Sequence, residues 1–223
     1  MVTNERITTY LHSLDTDAKP FFDELRREAK AKEVPIIRRE MESFLRTLLR
    51  IQKPEHILEI GTGIGYSALF FADHCESIKT VTTIENDPSR AKEAREHMAA
   101  YLREHGQSPS IELLEEDAGS VIGTLSGPYD LIFLDGPKAQ YIVMLPQLVK
   151  LLKTGGILLA DNVLQDGDLI DSRYVTPRRQ RTIHERMREY VWEVMHREDL
   201  ESTLLTIGDG VTLSVKKENN DSK

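Results

Sequence analysis

Three side chains in two short motifs have the chemistry of a hard-cation site. Asp135 stands in LDGPKAQY, residues 134–141, and Asp161 and Asn162 stand in ADN, residues 160–162. Two carboxylates and an amide oxygen suit Mg²⁺ or another divalent cation that keeps open positions for water or a substrate oxygen. Taken one at a time, Asp135 and Asn162 are equally at home in turns. Lys138 is expected in the first turn of a helix, where a cation opposes the helix dipole. Beside a metal its ammonium is further disfavoured, which suits a general base. Tyr141, three residues on, would share the face of Lys138, although packing is the simpler account of a tyrosine there.

A second group reads as a ligand-binding turn. Residues 57–68, ILEIGTGIGYSA, pass from a short apolar strand through Gly61, Gly63 and Gly65 into a helix start. Glycines there allow positive φ and close approach of a ligand to the backbone. A dinucleotide turn reads G-x-G-x-x-G, and Tyr66 occupies the place of its third glycine. Glu59, two residues before Gly61, would repel a pyrophosphate but could accept hydrogen bonds from an ammonium, such as the one S-adenosylmethionine carries. Glu85, 20 residues after Gly65 at the end of the next strand, could accept both ribose hydroxyls. It could also be a surface acid favoured at a helix start. Asp117 and Ala118, at the tip of a third strand, are placed to meet an adenine edge, with capping an almost equal account of Asp117.

The elements that must position these groups follow from periodicity. Helical patterns cover residues 4–14 and 17–32, the second with Asp17 as cap and Pro20 near its start. Val34-Pro35-Ile36 is a non-helical joint. Met41, Phe44, Leu45, Leu48 and Leu49 then form the stripe of an amphipathic helix. Strands are expected at 56–60, 80–84, 111–114, 129–134 and 156–160, with helices at 66–74, 88–105, 138–152 and 177–196 between or after them. Residues 204–207 and 211–215 flank Gly208-Asp209-Gly210 as a hairpin. Asp87 and Pro88 suit a cap and first position. Residues 164–176 read as a polar loop, with aspartates too irregularly spaced for an EF-hand. This alternation predicts one α/β domain over 1–223, a doubly wound sheet of seven strands, six parallel and one antiparallel. N-terminal helices would fill 1–51, the α/β core 52–216 and a frayed tail 217–223. Such sheets bind ligands beyond the carboxyl ends of their strands, where the acidic strand ends named above lie.

Composition narrows the setting. The 223 residues are 39% hydrophobic and 30% charged, with one cysteine, Cys75, and a net charge of −8. No internal disulfide is possible, no apolar run reaches membrane-spanning length, and the first residues lack the core of a signal peptide. A cytoplasmic protein with no membrane partner is the simplest reading. Acidity argues against a broad nucleic-acid-coating surface, yet residues 173–188 hold six arginines, Arg173, Arg178, Arg179, Arg181, Arg186 and Arg188, against Glu185. That local +5 leaves −13 elsewhere. The histidines lack H-E-x-x-H spacing, and no G-x-S-x-G is present.

Together ILEIGTGIGYSA, TIEND, LDGPKAQY, ADN and IGDG resemble, in order and spacing, the metal-dependent O-methyltransferases related to catechol and caffeoyl-CoA O-methyltransferases. The match covers residues 34–216. The resemblance implies a Rossmann-like fold binding S-adenosylmethionine through Val34, Glu59, Gly61, Thr62, Gly63, Ser67, Glu85, Asp117, Ala118 and Asp135. It also implies a divalent metal, Mg²⁺ or another, held by Asp135, Asp161 and Asn162, with Lys138 beside the reacting hydroxyl and a homodimeric assembly. Residues 34–36, VPI, and 177–181, PRRQR, resemble segments of the bacterial relatives that methylate 5-hydroxyuridine at the tRNA wobble position. On that likeness tRNA is the expected acceptor, giving 5-methoxyuridine, with Tyr141, Arg173, Arg178 and Arg179 as substrate contacts. A small catechol-like or caffeoyl-CoA-like phenol is the alternative. A NAD-type oxidoreductase would need a glycine in place of Tyr66, and a non-catalytic donor-binding module would lack the metal trio.

Overall fold

The computed structural model describes residues 5–14, 19–106, 109–172, 174 and 176–218. Its strands form one seven-stranded sheet in the order β3-β2-β1-β4-β5-β7-β6, with β1 His56–Ile60, β2 Thr80–Glu85, β3 Ser110–Glu115, β4 Tyr129–Leu134, β5 Leu152–Ala160, β6 Leu200–Leu205 and β7 Val211–Lys216. β7 runs antiparallel to both neighbours, and the pairs within the other half of the order are parallel. This is the expected six-plus-one doubly wound sheet. The chain divides into two compact units, Asn4–Ala118 and Gly119–Lys223.

The first unit holds α1 Glu5–Ser13, α2 Pro20–Ala31, α3 Arg39–Gln52, α4 Tyr66–His74 and α5 Pro88–His105, with β1 to β3. In α3 the apolar stripe buries Met41, Leu45, Leu48 and Leu49, while Phe44 stays half-buried. Asp87 caps α5, its Oδ1 accepting from the N–H groups of Ser89 (2.8 Å) and Arg90 (3.1 Å), and Pro88 fills the first position. The expected cap of α2, Asp17, lies outside the described residues. The residue preceding that helix is Lys19, which makes no capping bond, and Pro20 starts the helix with no N–H to satisfy.

The second unit holds the short α6 Ala118–Val121 at its junction, α7 Tyr141–Leu151, α8 Arg181–His196 and β4 to β7. Four element starts depart from expectation. β5 begins at Leu152 rather than at 156 and bulges: Leu152 pairs with Tyr129 and Ile157 with Leu131. Gly156 permits this, since a Cβ there would sit 2.7 Å from the Lys153 carbonyl oxygen, and a Lys-Thr-Gly-Gly run reads as a turn until its partner is known. β6 starts at Leu200, earlier than 204, because an edge strand pairs on one side only and needs no apolar alternation. Both α7 and α8 open with a 3₁₀ turn, Lys138–Gln140 and Arg178–Gln180. In each, the N–H of the glutamine, Gln140 or Gln180, reaches the carbonyl of Pro137 or Pro177 at 2.8 Å. Lys138 therefore precedes the α-helix proper.

Candidate active site

In the first unit the glycine turn joins β1 to α4. Gly61, Gly63 and Gly65 all take positive φ, at 100°, 55° and 89°. The third glycine is also the packing glycine, because a Cβ on Gly65 would lie 3.4 Å from Ala94 Cβ and Met98 Cε of α5. The place taken by Tyr66 therefore does not need to be small. Four N–H groups of the turn bond within the protein: Gly61 and Thr62 donate to the Ile84 carbonyl (3.0 and 3.2 Å) and Gly65 to that of Thr62 (2.9 Å). Gly63 donates to Glu85 Oε2 at 2.9 Å.

The expected donor residues gather around this turn. Glu59 is fully buried on β1. Its Oε2 accepts a 2.5 Å hydrogen bond from Thr83 Oγ1, which lies 2.6 Å from Thr62 Oγ1. Glu85, also buried, accepts from the Asp87 N–H (2.9 Å) as well as from Gly63. Its carboxylate braces the turn and the start of α5, and two oxygens with about four acceptor directions leave capacity for a ribose hydroxyl. Ser67 is buried in the first turn of α4. The half-buried Val34 donates its N–H to Ala29 (2.9 Å), ending α2, and the next carbonyl, that of Pro35, lies 3.9 Å from where a Gly63 side chain would begin. Asp117 is half-buried and Ala118 buried, just past β3.

Two supports were illegible in the sequence. Tyr66 donates to Glu42 Oε1 (2.5 Å) and accepts from Arg26 Nη2 (2.7 Å), while Arg26 also pairs with Glu42. Burial and the Glu42 carboxylate raise the Tyr66 hydroxyl well above its ordinary pKa, so it stays a donor. His97 donates from Nδ1 to the Ile64 carbonyl at 2.9 Å, and its Nε2 lies 3.1 Å from Glu28 Oε2. Glu42 lies between Met41 and Leu45 on the apolar stripe of α3, a place where a charged residue signals a buried partner.

In the second unit the expected cation residues converge. Asn162 Nδ2 donates to Asp135 Oδ1 at 2.9 Å, and the Asn162 N–H donates to Asp161 Oδ1 at 2.7 Å. The Asp161 N–H reaches the Leu134 carbonyl at 3.0 Å, tying the end of β5 to that of β4. Asn162 holds φ at 58°, a left-handed conformation that asparagine tolerates. With its amide nitrogen on Asp135, its amide oxygen is the atom left for a cation. Burial raises the Asp135 carboxyl to about 6, against the opposing pull of the Asn162 amide and the Lys138 ammonium. Burial first and the Asp135 charge second raise Asp161 to about 7. Negative charge is crowded here beyond what one lysine offsets, and a divalent cation would relieve it. Among the described residues no cluster of three or more His, Cys, Asp or Glu side chains is arranged to hold a metal; this trio has two carboxylates and an amide.

The substrate contacts fare differently. Tyr141 is fully buried, donates to the Leu134 carbonyl at 3.1 Å and meets the Tyr190 ring edge to face at 5.4 Å. It packs α7 against β4 and α8, beneath Asp135 and Asp161, where burial and then the charges of those two carboxylates raise its hydroxyl above the ordinary value. Arg173 lies outside the described residues. Arg178 and Arg179 are exposed. Three other arginines of the cluster serve the fold: Arg181 donates to the Thr176 carbonyl (3.1 Å), Arg186 to that of Ala139 (3.1 Å), and Arg188 to those of Leu169 (3.4 Å) and Asp171 (3.2 Å).

Residues 12–217 match the family model for O-methyltransferases. The chain belongs to that family. A catechol O-methyltransferase of Niastella koreensis is 28% identical over 138 residues, which are 60% of this chain and 61% of that protein. Among solved structures, a Staphylococcus aureus protein provisionally named caffeoyl-CoA O-methyltransferase is 30% identical over 95% of this chain and 100% of its own, with a TM-score of 0.86. The S-adenosylhomocysteine-bound methyltransferase PaMTH1 of Podospora anserina is 26% identical, with 97% of each chain covered and a TM-score of 0.83. This O-methyltransferase shares its fold with the two solved structures over nearly its whole length.

Proposed function

We propose that this O-methyltransferase moves the methyl group of S-adenosylmethionine to one hydroxyl of a small phenol bearing a vicinal oxygen, as in catechols and caffeoyl esters. The observation that carries the reading is the convergence of Asp135, Asp161 and Asn162 at the ends of β4 and β5, three oxygen ligands suited to chelating a neighbouring oxygen pair through a cation. Donor binding falls to the glycine turn, with Glu59 for the methionine ammonium and Glu85 for the ribose. The Glu85 carboxylate bonded to the Gly63 N–H supports this, because an acid lying on the turn suits a sulfonium nucleoside better than a phosphate.

Asp135, Asp161 and Asn162 would hold the divalent cation, which acts as a Lewis acid that makes a chelated hydroxyl easier to deprotonate. Lys138 carries its charge close enough to favour the ionised form of both aspartates; as general base it would take the hydroxyl proton only after its ammonium has released its own to solvent, a loss that a bound cation beside it would favour. The acceptor oxygen forms its bond to the methyl carbon as the carbon–sulfur bond breaks, sulfur keeps the electron pair, and the sulfonium charge is lost. Orientation of oxygen, methyl and sulfur in line does most of the work, since little new charge needs stabilising.

The phenol is preferred to tRNA for two reasons. Two of the three relatives compared are named for catechol and caffeoyl-CoA chemistry, and of the six arginines that suggested a polyanion, three hold carbonyls of this chain. Incubation with methyl-labelled S-adenosylmethionine, Mg²⁺ and a panel of catechol, a caffeoyl thioester, a monophenol and hypomodified tRNA tests the choice. Methylation of the vicinal diols, absent from the monophenol and lost in excess chelator, is expected. Labelling of tRNA alone overturns the acceptor, and full activity in chelator overturns the cation.

A further inference from the structure

The buried hydroxyl pair behind the glycine turn has no place in the chemistry above. Thr83 lies in the middle of β2 with no exposed surface, opposite Glu59 in the parallel register of β1 and β2. A threonine hydroxyl has one proton. Thr83 donates it to Glu59 Oε2 at 2.5 Å, so the 2.6 Å contact between Thr62 and Thr83 must be a bond donated by Thr62. The direction of the chain is thereby set: Thr62 hydroxyl to Thr83 hydroxyl to Glu59 carboxylate. It begins in the turn, crosses to the neighbouring strand and returns to the strand that leads into the turn. Thr62 is 3% exposed and Glu59 fully buried, so no water competes for these bonds, and a hydroxyl bonded to a carboxylate is among the stronger protein hydrogen bonds. β2 contributes a second grip at its end, where the Ile84 carbonyl takes the N–H groups of Gly61 and Thr62.

We infer that Thr83 is a positioning residue for donor binding, which locks the rotamer of Glu59 and the hydroxyl of Thr62 so that the methionine end of the methyl donor meets a preset carboxylate. The inference rests on the proposed reading of Glu59 as the ammonium acceptor. A carboxylate free to rotate would lose part of its hydrogen-bond energy to ordering at the moment of binding; one already held by a neighbour does not. The effect is confined to ligands that carry the amino-acid group.

Two ligands separate this role from general support of the fold. S-adenosylhomocysteine keeps the ammonium and carboxylate, and methylthioadenosine keeps only the nucleoside and thioether. By calorimetry, Thr83→Val is expected to weaken S-adenosylhomocysteine about tenfold, the scale of one lost hydrogen bond to a charged group, and to leave methylthioadenosine within about twofold. Thr83→Ser, which keeps the hydroxyl, restores the affinity. Thr62→Val removes only the upstream donor and gives a smaller loss with the same ligand selectivity, which covers the case in which Thr83→Val does not fold. Equal weakening of both ligands, or no weakening of either, overturns the inference. A wild-type chain that binds neither ligand overturns the reading of the donor site itself.

Discussion

At the scale of single residues, the two aspartates of the trio make opposite demands with and without a cation. Their carboxyls, at about 6 and about 7, lie above the ordinary 3.8. A carboxyl raised by folding binds its proton more tightly in the folded chain than in the unfolded one. The metal-free fold therefore loses stability as pH climbs from about 4 through 7, the span between the unfolded and folded values. Thermal melts in chelator should fall across that window, and Mg²⁺ should recover the loss chiefly at its upper end, where the ligands are ionised. Asp161→Asn should flatten the metal-free slope and remove the response to Mg²⁺. A melting temperature independent of pH in chelator would contradict the burial of these charges. Lys138 stands near a helix start as its sequence position implies, but the 3₁₀ turn led by Pro137 sets it three residues ahead of α7.

At the scale of elements, the site depends on segments that carry no chemistry. The IGDG turn pins the strand exit holding Asn162: the N–H groups of Val163 and Leu164 reach the carbonyls of Gly210 (3.0 Å) and Asp209 (2.8 Å). A Cβ on Gly210 would fall 2.3 Å from Leu164 Cγ, at a φ of 84°. Gly210→Ala should cost about 2 kcal/mol or more of stability. In binding assays it should weaken the cation and leave S-adenosylhomocysteine unchanged; an equal loss of both would deny the turn this local role. The N-terminal helices matter to the donor in the same way. Arg26→Ala leaves Glu42 buried without its guanidinium, a loss of about 3 kcal/mol where such pairs are broken. It should lower the denaturation midpoint and, through Tyr66, weaken donor binding. Normal donor affinity in a destabilised Arg26→Ala variant would separate the helices from the turn.

At the scale of the whole molecule, the local excess of positive charge divides between support of the fold and exposed surface. The arginine segment stood out as a local +5 on an acidic chain, yet much of that charge secures loop carbonyls to α8. Arg178 and Arg179 remain exposed, and reversing both to glutamate discriminates among acceptors. Turnover of free catechol should change by no more than about twofold, as for other exposed substitutions. A loss restricted to a CoA ester would place that ester's phosphates on these arginines, and a steep, salt-dependent loss on tRNA would restore the nucleic-acid acceptor. Among the described residues no helix is long and apolar enough to cross a membrane.

What the sequence determined by itself was local or periodic: three glycines that require positive φ, acids at strand ends, a cap at Asp87, and an alternation of strands and helices that implies a doubly wound sheet. These follow from steric limits on one or two residues, or from which face of an element is apolar, and neither needs a distant partner. Tertiary structure alone decided the rest. It turned Tyr141 inward, assigned both oxygens of Glu85 to backbone N–H groups, lengthened β5 and β6, spent three arginines on carbonyls, and set Thr83 behind Glu59. Each of these depends on a hydrogen-bond or packing partner far away in the chain, and a side chain's type states what it can bond to but not which partner folding will supply.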